Sequence, residues 1–131
     1  MRHDERLGTL DDVRAAIEPK LLPVFEALLD VADEIDPEST LVATPTERGV
    51  YITLGRGKMT DGYAYLIGHR AHVNLGFFRG TDLPDPGGRL EGAGKRLRHL
   101  KVDSVATAHG SAVRDLLTAA RDHMLELKGR P

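Results

Sequence analysis

The sequence predicts an α+β domain in which helices from both ends of the chain cover one face of an antiparallel sheet. Apolar residues recur at helical spacing near both ends of the chain. Between them lie short runs rich in β-branched and aromatic residues, separated by Gly, Pro and Asp. Such an order predicts a two-layer sandwich with a sheet of about five strands. A length of 131 residues is typical of a single domain, which we expect to span 1–131.

Two helices are predicted before the strands. Thr9 is a candidate N-cap of the first helix, and Asp12 stands three residues later as its capping-box partner. The second helix has Pro23 in its first turn and ends at Asp36-Pro37. Residues 1–8 are charged and precede both helices, so we expect them to form a flexible tail.

The predicted strands fill the middle of the chain and are followed by one more helix. They lie at 40–44, 49–54, 62–68, 71–78 and 97–102. The third and fourth strands are joined by a hairpin-length connection and should be antiparallel. Val73, Leu75 and Phe77 alternate with polar residues and Gly, so they should face the core, with Phe78 on the opposite face. Ser111 is the expected cap of the final helix.

Composition and charge exclude several classes of function. The chain has no cysteine, so disulfides, thiolate zinc sites and cysteine nucleophiles are absent. The net charge is only −2, and the few aromatic residues are not interleaved with Lys or Arg, so neither nucleic acid nor a membrane is an expected partner. The sequence lacks a signal-peptide pattern and a membrane-length apolar run, so a cytoplasmic location is expected. A homodimer remains open.

A basic segment at 92–101 is the main candidate binding site. It follows a long loop rich in Gly and Pro at 79–94, and loops of that length often carry function. Glycines would let backbone N–H groups approach an anion, while cations and an imidazole would supply charge and a hydrogen bond. The candidate residues are Gly92, Gly94, Lys95, Arg98, His99 and Lys101. Alternatively, the glycines form a turn and the cations protect the edge of the last strand.

An acidic face on the second helix is the candidate metal site. Every charged residue from 21 to 47 is acidic. Glu26, Asp30 and Asp33 recur at helical spacing together with Glu34, and such carboxylates could share a hard cation such as Fe(II). Iron would be the bound cofactor under this alternative. The other interpretation is a solvated face that keeps the protein soluble.

The second half of the chain resembles a known family. HVNLGFFRG at 72–80 followed by LEGAGKRLRHLK at 90–101 resembles the YdhG-like domain family of unknown function. The resemblance covers roughly 71–120 and implies a compact frataxin-like sandwich, and one relative is described as a frataxin-like iron chaperone. The chain has Ala43-Thr44-Pro45-Thr46 where the family often shows a Met-Pro-x-Phe type segment, so functions of that segment do not carry over.

The sequence as a whole predicts a non-catalytic binding domain. No acid, base or nucleophile can be assigned to a cleft from its spacing, so an enzyme is not expected. A small anionic or phosphorylated molecule is the predicted ligand, and iron binding is the alternative. A protein-interaction module is the third class, favoured if Phe78 and the loop around Leu83 are exposed and apolar.

Overall fold

A six-stranded mixed sheet forms the centre of the protein in the computed structural model, which describes residues 1–55 and 59–129. The strands pair in chain order, the first pair parallel and the others antiparallel. Their bounds are β1 Arg2–Asp4, β2 Thr40–Thr44, β3 Gly49–Thr53, β4 Gly62–Gly68, β5 Val73–Phe77 and β6 Arg98–Val102. The expected α+β class is confirmed, whereas a purely antiparallel sheet of about five strands is not observed.

The additional strand comes from the segment that was expected to be a flexible tail. Arg2 pairs with Thr40 and Asp4 with Val42, so the chain start lies parallel to β2 at the sheet edge. The backbone N–H of Arg2 donates to the Ser39 carbonyl at 2.9 Å. A three-residue polar strand has no apolar alternation, which is why its sequence did not predict it.

The helices lie before and after the strands β2–β6. They are α1 Leu10–Ala16, α2 Leu22–Ile35, α3 Val105–Ala108 and α4 Ser111–Leu127. The capping box of α1 is present, since the Asp12 N–H donates to Thr9 Oγ1 at 3.0 Å and Asp12 Oδ2 accepts from the Thr9 N–H at 3.4 Å. The predicted cap of α4 is wrong by one residue, because Gly110 is the N-cap and Ser111 begins the helix. Of the described helices, none is long and apolar enough to cross a membrane.

One hydrophobic core contains apolar residues of the helices and of the sheet. Val73, Leu75 and Phe77 are fully buried in it, as predicted. They share it with Phe25 and Leu28 of α2 and with residues of α1 and α4. Side chains that alternate with the core residues along β3–β6 point to the other side of the sheet. We call that side the outer face.

Candidate functional site

The basic segment does not form one compact site. Gly92, Gly94 and Lys95 lie in an exposed loop before β6. His99 and Lys101 alternate with the buried Leu100 and Val102 and therefore lie on the outer face. Arg98 begins β6, but its guanidinium binds the loop. The structure thus separates the six predicted ligand residues into two groups. The loop group is Gly92, Gly94, Lys95 and Arg98, and the sheet group is His99 and Lys101.

The loop group has contacts that hold the loop in shape. Arg98 Nη1 donates to the carbonyls of Gly94 at 2.7 Å and Leu97 at 2.6 Å. Gly92 has a φ of +135°, and a Cβ there would lie 3.0 Å from the Leu97 oxygen. The Thr81 N–H donates to the Arg96 carbonyl at 3.1 Å and ties the loop to the 3₁₀ turn at Gly80–Asp82. These contacts agree with the alternative in which the glycines form a turn into the last strand.

The sheet group lies near further basic residues that are outside 92–101. Asn74 pairs with Lys101 and Gly76 with His99 across β5 and β6. At the β4–β5 hairpin the rings of His69 and His72 stack at 5.0 Å. Arg48 lies just before β3, and its carbonyl accepts from the Gly68 N–H at 2.9 Å. We call the resulting set the basic face; its members are Arg48, His69, His72, His99 and Lys101.

The surroundings of His69 lower the pKa of its imidazole. Partial burial lowers its pKa from the usual 6.5, and the positive charges of the other members lower it further: His72, Arg48, His99 and Lys101. The contact between His69 and Asn74, whose partner on β6 is Lys101, places these groups at the same end of the outer face. Groups that repel one another in the free protein gain from an anion that neutralises them.

Asn74 links His69 to the sheet. Asn74 Nδ2 and His69 Nε2 are 3.1 Å apart, so the imidazole accepts in its neutral form. Asn74 Oδ1 is buried without a hydrogen-bond partner among the described residues. Rotation of the amide by 180° would offer this oxygen to a protonated His69. Asn74 can therefore serve both protonation states of the ring.

Two carboxylates lie beside the basic face. Glu91 Oε1 is 3.7 Å from Lys101 Nζ, and both side chains are about half exposed, so water and salt weaken this pair. Glu47 Oε2 accepts from the Tyr51 hydroxyl at 2.5 Å. Burial, followed by this hydrogen bond, raises the pKa of Tyr51 to about 12. Neither carboxylate bonds to a histidine of the basic face.

Three aromatic side chains continue the outer face beyond the basic face. The ring centroid of Phe78 lies 5.6 Å from that of Tyr51 and 5.2 Å from that of Tyr65. All three are half-buried, and Phe78 lies opposite the core residue Phe77, as predicted. A protein-interaction module would be favoured if both Phe78 and Leu83 were exposed. Leu83 is buried, so only Phe78 meets that condition in part. We call Tyr51, Tyr65 and Phe78 the aromatic cluster.

The acidic face of α2 is largely paired with cations. Glu26 Oε1 lies 2.5 Å from Arg14 Nε, and Asp33 Oδ1 lies 3.2 Å from the Met1 ammonium nitrogen. Asp30 lines an open depression that also includes His3. In the part of the chain that the structure describes, no group of three or more His, Cys, Asp or Glu residues is arranged to hold a metal ion. The predicted iron ligands thus gain no support from their geometry.

A second depression lies in the predicted loop. It has a volume of about 350 Å³ between the segment 84–89 and the first turns of α4. Its charges are mixed, since Arg89, Asp85 and Asp115 all line it. Asp85 already accepts from the backbone N–H groups of Arg89 and Leu90 at 2.9 Å each. This depression is less suited to an anion than the basic face.

Comparisons of the chain with protein-family models, curated proteins and solved structures gave no match. The class of the protein therefore follows from its own residues: an α+β domain with a six-stranded mixed sheet, whose outer face carries a group of cations and a group of aromatic rings.

Proposed function

We propose that the protein is a non-catalytic binding domain for a small anionic ligand, which binds on the basic face. The observation that carries the proposal is the pairing of β5 with β6, which brings Lys101 and His99 beside Asn74 and Gly76 on the outer face, next to the stacked rings of His69 and His72. Cations that cluster on an exposed surface favour phosphate or carboxylate groups, because an anion relieves their mutual repulsion. In the original hypothesis the ligand lay along 92–101; only His99 and Lys101 of that set belong to the proposed site.

The backbone at Arg48 supports the same proposal. Arg48 adopts the left-handed conformation with a φ of +56°, which usually favours Gly or Asn. A side chain in this region costs on the order of 1 kcal/mol. Residues held in such conformations occur often at functional sites. An arginine that adds charge to the basic face is consistent with such a role.

The proposed fold relationship is a YdhG-like, frataxin-like sandwich with the helices on one side of the sheet. The core that α1, α2 and α4 share with the sheet is in accord with it. Under this proposal the helices stabilise the sheet and leave its outer face for the ligand. The proposal includes no catalytic step: Tyr51 donates its hydroxyl to Glu47 on that face, and its pKa of about 12 keeps the phenol protonated.

A titration with inorganic phosphate at low ionic strength tests the proposed function. We expect wild-type protein to show NMR shift changes at Asn74, His99 and their neighbours. Lys101→Ala should weaken binding about tenfold, the effect of losing one charge-assisted hydrogen bond. Lys20→Ala is the matched control, because Lys20 is an exposed lysine in the 3₁₀ segment before α2.

Lys95→Ala separates the two halves of the original site. Lys95 is exposed in the loop and is not part of the basic face. Its replacement should leave the affinity for phosphate within twofold of wild type. Loss of binding in Lys95→Ala with normal binding in Lys101→Ala would contradict the proposal and return the site to the loop.

A further inference from the structure

The aromatic cluster and the basic face form one continuous surface. Tyr65 pairs with Gly76, and Gly76 pairs with His99, so the three lie in one row across β4, β5 and β6. The Tyr65 ring lies over Gly76, because a Cβ at that glycine would be only 1.8 Å from Tyr65 Cζ. The ring therefore extends across β5 towards the strand that carries His99 and Lys101.

The contacts among the three rings of the aromatic cluster leave part of their π faces uncovered. Phe78 meets Tyr51 edge to face, with an interplanar angle of 81°, and meets Tyr65 at a tilt of 54°. An edge-to-face contact covers the face of only one of the two rings, and all three residues keep part of their surface exposed. Aromatic side chains on an open sheet surface are a common platform for planar heterocycles.

The distances within the sheet match a ligand that has a ring and a charge at opposite ends. Neighbouring strands lie about 4.8 Å apart, so β4 and β6 are separated by about 10 Å. Because the Tyr65 ring already covers β5, a stacked ring and a charged group need less than this separation. One sugar between a base and a phosphate spans such a gap.

We propose that the ligand is a planar aromatic anion, with its ring on Tyr65 and Phe78 and its anionic group on Lys101, His99 and His72. A nucleoside monophosphate is the chemical class that fits. The proposal rests on the proposed function, since it assigns the rest of the ligand whose anion the basic face holds. A small ligand fits better than a polynucleotide, because the net charge of the chain is −2 and the basic face covers only one end of the sheet.

Calorimetric titrations with adenosine 5′-monophosphate and ribose 5-phosphate test this inference on the wild-type protein. Both carry the same phosphate, and only the first carries a base. We expect the nucleotide to bind about tenfold more tightly, a difference of about 1.4 kcal/mol that lies within the range of base–aromatic stacking. Equal affinities would overturn the aromatic assignment and leave anion binding intact. Absence of binding by both would overturn the proposed function and this inference with it.

A variant of Phe78 and a matched control locate the ring. Phe78→Leu should reduce the preference for the nucleotide to less than threefold while the affinity for ribose 5-phosphate stays the same. Leu127→Ala is the control, because Leu127 is an exposed apolar residue at the end of α4.

Arg89→Ala tests the depression beside α4, and loss of nucleotide binding in this variant alone would overturn the inference. Tighter binding of an oligonucleotide than of the mononucleotide, by tenfold or more, would overturn the assignment to a small ligand.

Discussion

At the scale of single residues, His69 shows how the surroundings change an ordinary side chain. Its ring stacks on His72 and contacts Asn74, in a hairpin beside other cations. Partial burial and these charges lower its pKa below 6.5, so the folded protein takes up the proton less readily than the unfolded chain does. Below about pH 6.5 the unfolded chain therefore binds more protons at this site, so the contribution of His69 to folding stability decreases as the pH falls.

We therefore predict that the free energy of unfolding decreases between about pH 7.5 and pH 5.5, and that His69→Gln makes this decrease smaller. Urea denaturation followed by circular dichroism measures both slopes. Above about pH 8 both states of His69 are neutral, so the slopes of wild type and variant should agree there. An unchanged slope in His69→Gln at the lower pH would contradict the account. Bound phosphate should also reduce the decrease, because an anion favours the protonated ring.

At the scale of the sheet, two glycines allow close contacts of different kinds. At Gly76 the obstacle to a Cβ is the Tyr65 ring, a side chain that can swing towards solvent. At Gly49 the obstacle is the Leu66 carbonyl oxygen, only 2.1 Å from the position of a Cβ. A backbone atom inside a paired sheet cannot move without disturbing β3 and β4.

Gly49→Ala should accordingly destabilise the protein by about 3 kcal/mol and Gly76→Ala by about 1 kcal/mol. Chemical denaturation of both variants measures the difference. Tyr65→Leu in the Gly76→Ala background should recover part of the smaller loss, since it removes the ring that the new methyl group meets. Losses of equal size in the two single variants would show that the Tyr65 ring is held as firmly as the backbone.

At the scale of the whole molecule, one buried carboxylate connects the helices to the sheet. Asp36 follows the last residue of α2 and is almost fully buried. Its Oδ2 accepts from the Tyr63 hydroxyl on β4 at 2.9 Å, and its Oδ1 lies 3.7 Å from Arg121 Nε on α4. Burial, followed by the nearby carboxylate, raises the pKa of Tyr63, which keeps the phenol protonated as a donor.

Tyr63→Phe should lower the free energy of unfolding by about 1–3 kcal/mol, because it leaves a buried carboxylate oxygen without its donor. Tyr51→Phe is the matched control, since its hydroxyl bonds to Glu47 on the surface, and it should cost less than about 0.5 kcal/mol. Denaturation in urea, with the slope of the transition unchanged, provides the comparison. A loss in Tyr63→Phe no larger than that in Tyr51→Phe would mean that Asp36 finds another donor.

Local signals explain which parts of the fold could be predicted. The strands β2–β6 and the helices α1, α2 and α4 follow from periods of two and about 3.6 residues and from breaks at Gly, Pro and Asp. The capping box of Thr9 and Asp12 is likewise a signal within four neighbouring positions. The four-residue helix α3 was not predicted, although Ser104 caps it by accepting from the Thr107 N–H at 3.1 Å. So short a helix has too few turns to show a period.

The candidate site was predictable only in part. The sequence indicates Lys101 by its charge and His99 by its hydrogen-bonding imidazole, and alternation along β6 brings both to the outer face. Their neighbours Arg48, His69 and His72 come from other segments of the chain, and the sequence does not show that β5 pairs with β6 or that Arg48 lies beside the β4–β5 hairpin. Arg98 was chosen as a ligand residue, but its guanidinium binds loop carbonyls.

By itself, the sequence determined the class of the fold, most of its elements and the core positions Val73, Leu75 and Phe77. Those features depend on the order of neighbouring side chains, and a period or a cap can be identified within a single segment. Only the tertiary structure decided that the chain start adds β1, that Asp36 meets Tyr63, and that the cations and aromatic rings share the outer face. Each of these depends on the pairing and register of distant segments, which local periodicity does not specify.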